Sequence, residues 1–251
     1  MPTQTISLSP IGFINSPYKQ KFAIPRQANL VRAGVGSIEL NEEYADINCL
    51  RGIEQFSHLW VVFLFHATAD QGWSPTVQPP RLAGKEKVGV FSSRAPFRPN
   101  PIGISAVEYI KHQESNGRIL IDIRGLDLLD GTPVLDLKPY IPYADSLPNA
   151  IGGYAAEKPN HDFFIDFAKT VEEQLILYKE NYPNLKELIT QVLTLDPRPA
   201  WRVKGQDEKQ YGMTLYNFNI KFRVEKERIR VTSLQPERSL QSFAIAKDSV
   251  K

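Results

Sequence analysis

Two arginines held four residues apart in a proline-rich stretch are the first feature of this chain that could do chemistry. Val88–Ser105 reads VGVFSSRAPFRPNPIGIS and sets Arg94 and Arg98 among Pro96, Pro99 and Pro101. Three prolines fix φ and remove three backbone donors, so the stretch is neither a helix interior nor a central strand. Val88, Val90 and Phe91 lead into it like the end of a buried strand. A guanidinium in a stiff loop suits an anion, because its planar fork meets carboxylate or phosphate in two hydrogen bonds. The competing reading is an Arg-rich surface turn tied down by local groups. Asp136, Lys138 and Tyr140 in LDLKPY offer a second chemistry. At strand spacing they share one face, where an acid or a phenol could hydrogen-bond an amine, or they form a solvated strand face. Arg198, Trp201, Arg202 and Lys204 combine a large aromatic with three cations. That set suits a splayed base and its phosphates; a Trp buried in a small domain is the alternative.

Other groups read first as structure. Asp130-Gly131-Thr132-Pro133 has the residue order of a tight turn. His58 and His66 bracket the apolar run Leu59–Phe65 and are expected to be structural. With Cys49 the single cysteine, no intramolecular disulfide and no cysteine-based zinc site can form, and no metal site is expected. That usage fits a reducing cytoplasm. The opening MPTQTISLSPIGF lacks the pattern of a secretory signal, and the longest apolar run is too short for a membrane helix. Neither G-x-S-x-G nor a P-loop occurs, which counts against a serine hydrolase or an NTPase.

The net charge of +2 identifies no partner, but its distribution is uneven. Arg81–Arg98 holds five basic residues against one acid, and Arg198–Arg230 nine against four. His161–Leu195 between them has six acids and three lysines. Two basic segments around an acidic one could build a phosphate-binding face, or be scattered solvated charge.

The elements that must position these groups fall into two parts. Residues 1–150 read as short strands: Ile6–Ile14, Gly34–Leu40, Leu59–Phe65 (apolar on both faces, hence fully buried), Ile104–Ile110, Leu120–Arg124 and Val134–Pro139. Asn116-Gly117 reads as a hairpin turn. Many strands with few helices predict an all-β barrel or sandwich. No G-x-G-x-x-G follows a strand, so a dinucleotide-type Rossmann unit is not expected. After the small-residue stretch Pro148–Gly153 the pattern changes. Phe164, Phe167, Val171, Leu175 and Tyr178 predict one amphipathic helix, and Leu185, Leu188, Ile189 and Val192 a second. Phe218, Ile220, Phe222 and Val224 alternate as a strand that turns back at Lys226-Glu227. The expectation is an α+β chain: a barrel-like domain over 1–150, a small α+β domain over 160–235, and a loose tail from Gln235.

The run GVFSSRAPFRPNPIG closely resembles the signature of the TsaA-like family of tRNA methyltransferases. SPYKQKFAIPRQ (16–27), FSHLWVVFLFH (56–66) and LDLLDGTPVLDLKPYIPYADS (126–146) resemble further family segments, and DPRPAW (196–201) the second domain of bacterial members. The resemblance spans nearly the whole chain in the right order. It implies S-adenosylmethionine as cofactor, bound on a non-Rossmann β-barrel, and methylation at N6 of N6-threonylcarbamoyladenosine 37 beside the anticodon of a threonine tRNA. It also implies a homodimer with the cofactor near the interface. Matching family positions make Pro25, Arg26, Gln27, His66, Ala67, Arg94, Ile104, Asp130, Gly131, Thr132 and Pro133 cofactor contacts. Arg94 would meet the methionine carboxylate, and Ile104 would pack on the adenine or ribose. Asp136, Lys138 and Tyr140 are then the candidate catalytic set, and Arg98, Arg198, Trp201, Arg202 and Lys204 the candidate tRNA contacts. Ala95 and Ala67 depart from common family residues and leave backbone contacts intact. A non-catalytic RNA-binding barrel that clamps an anticodon loop is the alternative function; a third is an enzyme using the same pocket on a small molecule.

Overall fold

The structure is a computed structural model that describes residues 6–82, 86–159, 163–198 and 207–237. The strands of the first part are β1 (Gly12–Asn15), β2 (Val35–Leu40), β3 (His58–Leu64), β4 (Thr76–Val77), β5 (Val88–Gly89), β6 (Ile102–Ser115), β7 (Arg118–Arg124) and β8 (Pro133–Pro139). Six of them close a barrel in the order β1-β2-β7-β6-β3-β8, with β8 returning to β1 at Gly12↔Val134. Every pairing in it is antiparallel. Closure leaves no sheet edge to protect.

Period-two alternation fills the interior. Leu59, Val61 and Phe63 of β3, Val107 of β6 and Ile119, Ile121 and Ile123 of β7 are buried. The expectation that Leu59–Phe65 is covered on both faces is corrected: Trp60, Val62 and Leu64 point outward and are half-buried. Trp60 rests on the Tyr140 ring at 5.4 Å and donates from Nε1 to Asp145 at 3.0 Å. The β6–β7 hairpin turns at Asn116 and Gly117, both with positive φ, as the Asn-Gly pair predicts. Phe91 does not end a buried strand. β5 stops at Gly89, and Phe91 is 77% exposed on a 3-10 turn.

A short helix α1 (Pro142–Asp145) precedes the second unit, which holds β9 (Phe164–Phe167), α2 (Lys169–Leu177), α3 (Leu185–Thr194), β10 (Asp207–Leu215), β11 (Phe218–Glu225) and β12 (Arg228–Pro236). The order is β10-β11-β12-β9, with β9 parallel to β12. The single helix predicted over Phe164–Tyr178 is therefore a strand followed by a shorter helix. Phe164 and Phe167 satisfy a helical spacing, yet Ile165 and Phe167 pair in register with Ile229 and Val231, and a sheet partner outweighs weak local propensity. The loose tail expected from Gln235 is corrected at its start, since β12 continues to Pro236; residues 238–251 lie outside the described residues.

The two units share one hydrophobic core. Tyr18 bridges to Leu215, the Tyr216 N–H donates to the Pro17 carbonyl at 2.7 Å, and the Ala33 N–H donates to Gln191 Oε1 at 2.9 Å.

Candidate active site

A cavity of about 480 Å³ opens where β3 ends and β6 begins. Its walls come from five segments: 21–27, 63–68, 93–98, 102–105 and 127–132. Pro25, Arg26, Gln27, His66, Ala67, Arg94, Ile104 and Thr132 all line it, so the structure gathers eight positions that lie far apart in sequence. Asp130, Gly131 and Pro133 do not line it. Asp130 instead locks the turn. Its Oδ1 accepts from the Ser16 N–H at 2.8 Å, and its Oδ2 pairs with Lys19 at 2.6 Å. Gly131, at φ +73°, supplies the left-handed step of the turn and donates its N–H to Ile14.

The proline-rich loop is rigid for a reason that its spacing does not reveal. Arg98 Nη1 donates to the carbonyls of Val90 at 3.0 Å and Ser93 at 2.8 Å, and its guanidinium lies 5.7 Å from the Phe91 ring centroid. Arg98 thus braces the loop from the cavity wall. Arg94 is held differently, by one hydrogen bond to Gln27 Oε1 at 2.6 Å. Arg26 makes no hydrogen bond or ion pair among the described residues. Partial burial lowers its pKa, with Asp196 opposing and Arg81 adding to the effect, but arginine stays charged. Arg94 and Arg26 are therefore the cavity's cations best placed to meet an incoming anion.

Asp127 was not singled out by its spacing, and among the described residues it is the one carboxylate in the cavity wall. It stands between the buried Leu126 and Leu128 and accepts from Ser105 Oγ at 2.6 Å. Burial raises its pKa above the ordinary aspartate value, against the opposing hydrogen bond from Ser105 and the charge of Arg94. An acid set between two apolar residues that face a core was the available signal.

The β8 set is elsewhere. Asp136 and Lys138 form a 2.9 Å ion pair with side chains 48% and 67% exposed, and Tyr140 packs against Trp60 and His58. None of the three lines the cavity. They share a face as expected, but it is the outer face of the barrel.

A second cavity of about 430 Å³ lies between barrel and C-terminal unit and shares Lys21, Ile24, Pro25 and Arg26 with the first. Asp196 and Arg198 line it as a buried bidentate pair, Nε and Nη2 each 2.8 Å from a carboxylate oxygen. Arg198 is 2% exposed, so its assignment as a tRNA contact is corrected. Trp201, Arg202 and Lys204 lie outside the described residues. Among the described residues no cluster of His, Cys, Asp or Glu could hold a metal, and no helix is long and apolar enough to cross a membrane.

Comparison with known proteins agrees with this arrangement of barrel and second unit. The tRNA-methyltransferase O N-terminal domain matches residues 13–146, and the TrmO C-terminal domain matches residues 160–237. The chain is 45% identical over 229 residues to the tRNA (adenine(37)-N6)-methyltransferase of Escherichia coli K12, covering 90% of this chain and 96% of that one. It is 41% identical over 217 residues to RcsF of Pseudomonas aeruginosa, named a putative S-adenosylmethionine-dependent methyltransferase, covering 86% and 91%. A crystal structure of TrmO from Pseudomonas aeruginosa superposes with a TM-score of 0.74 at 35% identity, over 92% of this chain and 99% of that one. With both family domains matched in order along the chain, it belongs to the tRNA-methyltransferase O family.

Proposed function

We propose that this chain is an S-adenosylmethionine-dependent tRNA methyltransferase acting on N6 of adenosine 37. Its substrate is the N6-threonylcarbamoyl form of that nucleoside in a threonine tRNA, and N6-methyl-N6-threonylcarbamoyladenosine is the product. The observation that carries this reading is the cavity that collects Pro25–Gln27, His66, Ala67, Arg94, Ile104 and Thr132 on a barrel without a glycine-rich fingerprint.

The cavity fits the cofactor. A methionine carboxylate needs a fixed cation, and Arg94 and Arg26 supply two. An adenine face needs apolar wall, which Phe63, Phe65, Ile102 and Ile104 provide. When bound, the cofactor supplies an electrophilic methyl group on a sulfonium. Part of the protein's work is orientation and water exclusion: the loop braced by Arg98 keeps Arg94 in place, and a preset approach geometry lowers the barrier. Domain roles follow: the barrel, residues 1–150, holds cofactor and target base, and residues 160–235 assist in holding the tRNA, with Trp201, Arg202 and Lys204 as its contacts. The exposed Tyr143, Leu147 and Ile151 support a second copy covering this side of the barrel. A cytoplasmic location follows from the tRNA substrate.

Titration calorimetry with S-adenosylmethionine, followed by transfer to tRNA lacking the methyl group, tests the reading. Wild type is expected to bind the cofactor and add one methyl to the position-37 nucleoside. Arg94→Ala is expected to weaken cofactor binding about 10- to 150-fold, the loss of one charge-assisted contact of ~1.5–3 kcal/mol. Unchanged affinity would remove Arg94 from the site. Tight tRNA binding without cofactor binding would replace the enzyme with an RNA clamp.

A further inference from the structure

Methylation at N6 of a threonylcarbamoyl adenosine poses a problem that positioning alone does not solve. The N6 lone pair is delocalised into both the purine ring and the adjoining carbonyl, so the nitrogen is a poor nucleophile while it keeps its hydrogen. A group in the cavity must take that proton as the new bond forms. The β8 acid expected from sequence cannot: Asp136 lies outside the cavity and is paired with Lys138.

Resting on the function proposed above, we infer that Asp127 is the proton acceptor for N6 and that Ser105 is its positioning residue. Among the described residues Asp127 is the only carboxylate lining the cavity, on the wall that also carries Ile104 and Ser105. The Ser105 hydroxyl fixes the carboxylate at 2.6 Å, from the strand on which Ile104 faces the cavity. A carboxylate has about four lone-pair sites, so the Ser105 hydrogen bond leaves room for an incoming donor. Burial makes it a stronger base than a solvated aspartate. The charged and titratable groups around it are Arg94 on the proline-rich loop, Lys21 and Arg26 on the segment before β2, Arg98, His66 after β3, and the buried Tyr18. Arg94 keeps Asp127 from rising further.

The step balances. The N6–H bond breaks and its proton goes to Asp127. The freed pair on N6 forms the N–C bond with the methyl carbon, while the S–C pair stays on sulfur, leaving a neutral thioether. One carboxylate charge and one sulfonium charge disappear together, which a poorly solvated cavity favours.

The test compares wild type, Asp127→Asn and Ser105→Ala by cofactor calorimetry, single-turnover transfer to the tRNA across pH, and thermal unfolding across pH without cofactor. Asp127→Asn is expected to keep cofactor affinity within about threefold, to lose about 10²- to 10⁴-fold in rate, and to lose the acid limb of the rate profile. Ser105→Ala is expected to move that limb to higher pH, because the hydroxyl's hydrogen bond lowers Asp127; a purely structural serine would lower the rate at all pH values alike. Unfolding supplies a readout independent of activity. Above the ordinary value of 3.8 the unfolded chain has lost a proton that folded Asp127 still holds, so wild-type stability falls as pH rises through that window. The melting temperature of wild type is therefore expected to drop relative to Asp127→Asn as pH is raised above that value, and a constant gap would overturn the assignment. Cofactor binding lost in step with rate would make Asp127 an anchor for the cofactor's ammonium instead. Retained rate with an intact acid limb would pass the proton to His66 or water. A wild type that binds no cofactor and transfers no methyl would defeat the function itself, and the assignment with it.

Discussion

Gly103 sets the shape of the cavity, and replacing it by alanine tests that claim. It pairs with Phe63 across β6 and β3, and the Phe63 ring lies directly over its Cα. A Cβ built there would meet Phe63 Cζ at 2.3 Å and the two Cε atoms at 2.5 and 2.9 Å. Ordinary contact begins at 3.4 Å, so the ring must move by about 1.1 Å. Core side is closed to it: Phe63 is buried and meets Phe65 edge-on at 5.0 Å. The ring must shift toward the cavity that both phenylalanines line. Overpacking of this kind costs about 1–3 kcal/mol. The restricted unfolded chain gives back about 0.4–1 kcal/mol, so the steric cost wins. At about 2–4 °C per kcal/mol for a chain of this size, a net cost of up to about 2.6 kcal/mol predicts that Gly103→Ala melts up to about 10 °C lower and binds S-adenosylmethionine about tenfold more weakly or worse. Adding Phe63→Leu removes the clashing ring tip. The double variant should then be more stable than the sum of the two single changes by about 0.5–3 kcal/mol, the coupling of residues in contact. Wild-type melting and affinity in Gly103→Ala, or strict additivity in the pair, would refute this account of the wall.

Arg198→Met leaves Asp196 buried without its partner and is expected to cost about 3–5 kcal/mol; urea unfolding checks it. A variant of wild-type stability that loses only tRNA affinity would return Arg198 to the RNA-binding face. Lys138→Ala, which breaks an exposed pair, is expected to cost under about 1 kcal/mol and to leave the transfer rate within about twofold. A hundredfold rate loss at unchanged melting temperature would reinstate the β8 set as catalytic.

The barrel was legible because its inner face repeats with period two. Ile119, Ile121 and Ile123 declare a half-buried strand, and Asn116-Gly117 declares the turn before it. The same logic failed at Phe164–Phe167, where aromatic spacing fits a helix as well as a strand and only the parallel partner β12 decides. Site residues split along a similar line. The signature loop announced that something charged is held rigidly, but not which arginine does the holding. Arg98 is bonded to two carbonyls five and eight residues back in its own loop, while Arg94 reaches Gln27, which lies 67 positions away. Long-range pairings of this kind carry no local pattern. Asp127 was hidden for the converse reason, being overshadowed by Asp130, whose turn chemistry is the more conspicuous and whose bonds to Ser16 and Lys19 are structural.

The turn that Asp130 locks also binds the second unit to the cavity wall. Ser16, Pro17 and Tyr18 form a strap bonded on both sides. On one side the Ser16 hydroxyl donates to the Leu128 carbonyl at 2.8 Å, and the Asp130 N–H donates to the Tyr18 carbonyl at 2.9 Å. On the other the Pro17 carbonyl accepts from Tyr216, while Tyr18 bridges to Leu215 in the C-terminal sheet. Leu128 and Leu129 line the cavity, so only the strap separates the C-terminal sheet from the wall that carries Asp127. Tyr18 is completely buried as well, and its ring leaves no room for a Cβ at Gly34, at 2.4 Å from the hydroxyl. A unit joined to the barrel by a flexible linker alone could grip tRNA without affecting the pocket. One that shares its core and this strap cannot shift without moving the 128–132 wall. A tRNA gripped by the C-terminal unit, as proposed above, would therefore pull on the cavity wall through this strap.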